Sequence, residues 1–134
     1  MSDRVLGRLK VLYRGEPIGM TSVIERTYDE DESAGVSPQR LEVSGFEPLP
    51  GYDSVASIVQ RAHSTARTLG YLGPAANAQS KVAGDAAWAA LEALCAELEL
   101  YDDEGRLVPA RIDMMNEWMS KGERHFDLFG YLRT

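Results

Sequence analysis

The sequence predicts an α+β fold: a mostly antiparallel sheet, made of an N-terminal hairpin and three C-terminal strands, packed against two central helices. Three observations carry this reading. Residues 5–25 alternate apolar and charged side chains about a Gly- and Pro-containing turn. Residues 52–98 hold two successive apolar stripes at helical spacing. Residues 98–132 return to alternation, so strands and helices segregate along the chain. A length of 134 residues with 44% hydrophobic side chains suits one domain, residues 1–134, with one core.

In the first hairpin Leu9, Val11 and Tyr13 alternate with Arg8, Lys10 and Arg14. Gly15 takes the turn and Pro17 opens the return strand, where Ile18, Met20, Ser22 and Ile24 share a face. Residues 26–50 lack strong periodicity and read as a long loop, with room for a short strand at residues 40–46. The first helix is expected after Gly51, capped by Asp53 or Ser54 and stopped by Gly70. Tyr52, Val55, Val59, Ala62, Ala66 and Leu69 form its apolar face.

The longest element is the second helix, residues 79–98, on which the strands are expected to pack. Ala83, Ala87, Trp88, Leu91, Leu94, Cys95 and Leu98 gather on one side of it. Gly84 lies on that side, where it admits a close neighbour. Beyond it, residues 98–101, 107–114 and 125–132 alternate as strands, with Pro109 marking an edge or bulge. Both faces of the last strand carry bulk, which places it inside the sheet or at an oligomer interface.

The net charge of −7 argues against binding a nucleic-acid backbone and, more weakly, an anionic membrane surface. No apolar run approaches the roughly 20 residues of a membrane span, and the first ten residues lack a secretory h-region. The single cysteine, Cys95, forms no internal disulfide and reads as a small core residue. Together these features point to the cytoplasm of a bacterium-like host.

Motifs that carry chemistry fall short. Asp29, Asp31 and Ser33 take the first, third and fifth places of a calcium loop, but Ala34 holds the glycine position and Arg40 the bidentate acid position. His63, Cys95 and His125 have no zinc-ligand spacing, so no metal or cofactor is expected. No nucleophile elbow or phosphate loop occurs, and the catalytic reading is none. His125 and Asp127 point the same way on a strand, a pairing more often exposed than catalytic.

Charge segregation is what remains. From residue 82 to 105 there are seven acids and neither Lys nor Arg, while Arg4, Arg8, Lys10 and Arg14 sit in the hairpin. The leading expectation is a non-catalytic interaction protein, immunity- or antitoxin-like, that neutralises a basic partner through Glu99, Asp102, Asp103 and Glu104 with Asp29, Glu30, Asp31 and Glu32. The alternative is a small-ligand binder or enzyme whose pocket, between sheet and helices, is lined by Tyr52, His63, Trp88, Trp118, His125 and Tyr131. A third reading is a homodimer joined through the C-terminal strand.

Overall fold

The computed structural model describes residues 2–27, 39–75 and 77–133. They form β1 (Ser2–Tyr13), β2 (Glu16–Thr27), β3 (Gln39–Pro48), α1 (Ala56–Leu72), α2 (Ala78–Glu97), β4 (Leu98–Tyr101), β5 (Leu107–Val108), β6 (Ala110–Ser120) and β7 (Glu123–Leu132). The strands make one seven-stranded sheet, ordered β5-β4-β1-β2-β3-β7-β6, and all its pairings are antiparallel. The α+β class expected from patterning is the one adopted. Among the described residues no helix is long and apolar enough to cross a membrane.

The alternation of β1 sets its two faces. Leu9 and Val11 are buried, while Arg8 and Lys10 are exposed. The β1–β2 and β6–β7 hairpins close with two-residue loops, Arg14-Gly15 and Lys121-Gly122, whose four residues all have positive φ. That geometry matches the right-handed twist of the strands it joins.

The described residues of the long loop expected at 26–50 are mostly strand, and the short strand given room at 40–46 is part of a longer one. β2 runs to Thr27 and β3 occupies Gln39–Pro48, pairing with β2 on one side and β7 on the other. Two features hide β3 in the sequence. A bulge at Gly45, with φ of 81°, breaks the period-two pattern. Glu42 also sits at a fully buried position, where its carboxylate pairs with Arg26 at 2.8 Å. The bulge is held on both sides. Thr21 Oγ1 donates to Gly45 O at 2.7 Å, and Asp127 Oδ1 accepts the Gly45 N–H at 2.9 Å.

The helices begin and end differently from expectation. Residues 50–54 wind as a 3-10 turn, α1 starts only at Ala56, and its N-cap is Val55, without a side-chain cap. Asp53 and Ser54 therefore do not cap it, and the Ser54 hydroxyl donates back to Gly51 O at 2.8 Å. Pro50 favours the early tight turn because its φ is fixed. α1 passes through Gly70 and stops at Gly73, where φ is 53°. In α2 the Asn77 side chain caps the Ser80 N–H at 2.8 Å. A Cβ at Gly84 would run into the Leu69 side chain, so this glycine lets α1 and α2 close on one another.

Leu91, Leu94 and Cys95 from α2 and Val55, Val59 and Ala62 from the α1 segment join Leu9, Val11, Val43, Leu100, Met115 and Leu128 in one core. Trp88 is only half-buried, at the margin of this core. The sheet must curl around it. β5 and β6 stand at opposite ends of the strand order, six strand spacings or roughly 29 Å apart if flat. Yet Pro109 alone separates them in sequence. The two ends meet there, with the Arg133 N–H donating to Pro109 O at 2.9 Å. Pro109 thus splits the strand expected at 107–114 into β5 and β6. β7, the last strand, is interior, flanked by β3 and β6. The homodimer expected through it finds its edges already paired, at residues 129–131 with β3 and along its length with β6.

Candidate functional site

An open groove on the surface follows from strand lengths. β4 pairs with only residues 10–13 of β1, so among the described residues the outer edge of residues 2–9 has no neighbour. A groove of about 920 Å³ runs along this step. Its apolar lining comes from Leu6, Leu12, Met20 and Tyr101, and its polar lining from Arg8, Lys10, Asp102 and Asp103. Arg8 is tied across β2 to the Glu47 carboxylate.

The acids expected to bind a partner divide into two groups. Asp102 shapes the turn after β4: its Oδ1 accepts the N–H groups of Glu104 and Arg106, both at 2.9 Å. Its Oδ2 accepts from Arg106 Nε at 3.2 Å. These bonds, led by the Arg106 amide, hold the carboxyl below its ordinary pKa. Glu104 also pairs with Arg106, at 2.7 Å, and Glu97 with Arg14 at 3.3 Å. Glu99 and Asp103 are exposed, with no ion pair among the described residues. Asp29, Glu30, Asp31 and Glu32 lie outside the described residues.

The six residues expected to line a pocket between sheet and helices fall on opposite faces of the sheet. Tyr52, His63 and Trp88 lie on the helix side. Tyr52 is buried against Phe126, with ring centroids 5.3 Å apart. His63 meets Trp88 edge-on at 5.6 Å and donates from Nε2 to Met115 O at 2.7 Å. In the β6–β7 ladder Glu117 faces Phe126 on this side, so the next pair, Trp118 and His125, points the other way. Those two rings stack at 5.6 Å. Tyr131 shares their face, with the Arg111 guanidinium 5.9 Å from its ring centre. The sheet itself separates the two trios, and no common pocket forms.

The side chains with chemical potential already have structural duties. Asp127 Oδ1 accepts the N–H groups of Gly45 and Leu128, while its strand-mate His125 stacks on Trp118. Burial in the core pushes the Cys95 thiol up to about 11. Among the described residues no group of three His, Cys, Asp or Glu side chains is placed to hold a metal ion.

One polar centre was not anticipated. Glu117 accepts from Tyr52 Oη at 2.8 Å, Gln60 Nε2 at 2.9 Å and Arg124 at 3.0 Å. Burial alone would push its carboxyl up, but the bonds from Arg124, Tyr52 and Gln60 overcome this and hold it below its ordinary value. Tyr52 is raised, by burial first and by Glu117 second. The signal was available: Glu117 sits two residues after Met115, on the core face of an alternating strand.

No protein-family model, curated protein or solved structure matches this chain.

Proposed function

We propose that this protein is a non-catalytic interaction module that binds a basic protein partner, in the manner of an immunity- or antitoxin-like neutraliser. The observation that carries this reading is the exposure of Asp103 in the lining of the groove of β1, β2 and β4, with exposed Glu99 on the same face of β4 as the groove-lining Tyr101. Uncommitted carboxylates at the rim of an apolar groove supply what a docking surface needs: charge to steer the encounter and apolar area to hold it. Asp102 and Glu104 support the same rim in a different role, by fixing the turn with Arg106.

The test is affinity capture with the full chain at low and high salt. A basic protein retained at low salt and released at high salt is expected. Glu99→Lys with Asp103→Lys should abolish that retention while leaving the circular dichroism spectrum unchanged. Absence of any salt-sensitive partner, or retention indifferent to both reversals, overturns the proposal. The small-ligand alternative moves to the same groove, whose volume is within the range of ligand sites. A thermal-shift screen against metabolites separates the two, because a ligand stabilises by mass action.

A further inference from the structure

We infer that residues 2–9 of β1 pair, edge to edge and antiparallel, with the same residues of a second copy of this chain across a two-fold axis. This goes beyond the binding of a basic partner and uses the backbone edge that borders the same groove, with Leu6 common to both.

An unpaired strand edge presents a row of backbone donors and acceptors, and only another extended backbone satisfies all of them. Here that row is flanked by two exposed apolar side chains, Val5 at 65% and Leu6 at 46% accessibility. Gly7 lies between them and Arg8. A glycine inside a strand weakens it and marks either a bend or the close approach of another backbone. Gly7 is not among the positive-φ residues, and a Cβ placed on it would meet nothing among the described residues. The register slip beside it suits a glycine, and the open space over it leaves room for an approaching strand.

The bulge selects the occupant. The β1–β2 register slips at Leu6, so Val5 faces Ile24 and Arg8 faces Ser22. Ile24 and Ser22 share one face of β2, which puts Val5 and Arg8 on the same side although an unbroken strand would set them on opposite sides. A regular strand laid along this edge would lose face matching at the slip. A second copy carries the same slip at the same place and keeps it.

With the axis between Val5 and Leu6, each Val5 stands opposite the other copy's Leu6, and each Arg4 opposite a Gly7. An axis through Leu6 would set Arg4 against Arg8, and one through Gly7 would set Arg4 against Lys10. Both are like-charge pairs, which oppose strand association. The first register joins the two sheets through apolar contacts and no facing cations.

Sedimentation velocity of the full chain over a wide dilution series tests this, together with amide hydrogen exchange at residues 4–8. The expected result is a dimer in which those amides are protected. Leu6→Lys, at an exposed position, should weaken the dimer by about tenfold or more, a change of about 1.4 kcal/mol per tenfold, with an unchanged circular dichroism spectrum. A monomer at every concentration, a dimer indifferent to Leu6→Lys, or a dimer whose residue 4–8 amides exchange freely overturns the inference. Glu99→Lys with Asp103→Lys leaves the dimer intact, so loss of the basic partner and loss of self-association are read separately.

Discussion

The outer edges of β6 and β1 solve the same problem in opposite ways. β6 is an edge strand of 11 residues, long enough to template aggregation, yet its middle is sealed. His63 of α1 takes the Met115 carbonyl, and both helices pack over the strand. Among the described residues β1 has no such cover over residues 2–9, only a bulge and scattered cations. An edge left bare beside an apolar groove, in a fold that guards its other edge, reads as a surface kept for a partner.

The sealed side should be the costly one to disturb. Leu91 is 1% exposed in the core beneath α2, and Leu91→Ala should destabilise by about 2–5 kcal/mol in urea unfolding. A silent substitution would show that the helix layer does not hold the sheet.

Glu117→Ala comes next, at about 2–3 kcal/mol, because it leaves the buried Tyr52 hydroxyl without its acceptor. The pH dependence sharpens this. The folded pKa of Glu117 is depressed, so its stabilisation is complete above the unfolded value of about 4.3 and is lost as pH falls through the lower folded value. The stability difference between wild type and Glu117→Ala should therefore shrink in acid. A constant difference down to low pH would contradict the assignment.

His63→Ala should cost about 1 kcal/mol, the net worth of one hydrogen bond, and should speed amide exchange in β6. On the open side, Leu6→Lys should change the stability of the isolated monomer by no more than about 0.5 kcal/mol, as at other exposed positions. If Leu6→Lys destabilised the monomer as much as His63→Ala, the two edges would not differ as described.

The sequence disclosed those parts of the fold in which local pattern and tertiary role agree. The β1–β2 hairpin, α2 with its Leu91-Leu94-Cys95 stripe and the Gly84 approach were legible, because apolar period and burial coincide there. The bulk on both faces of β7 narrowed its place to the sheet interior or an oligomer interface, of which the first is observed. β3 was legible only as room for a short strand at residues 40–46. Its buried Glu42 and its bulge at Gly45 serve partners far away in sequence, Arg26 and Asp127, and no local window contains them. The α1 cap was misplaced because Asp53 and Ser54 look like caps, while Pro50 starts a tighter turn ahead of them. The pocket failed for a topological reason: Trp118 and Glu117 are neighbours in sequence and lie on opposite faces of the sheet. The groove along β1 was illegible because it exists only where β4 stops short.

The position of β7 bears on how the chain is made. This strand follows all the other described strands in sequence, yet it occupies an inner berth between β3 and β6. Until it emerges, β3 and β6 each lack a neighbour, and the half of the sheet that carries the Glu117 cluster stays unfinished. Before β7 is made, the nascent chain therefore carries two hydrophobic strands unmated, a state exposed to misassembly during synthesis.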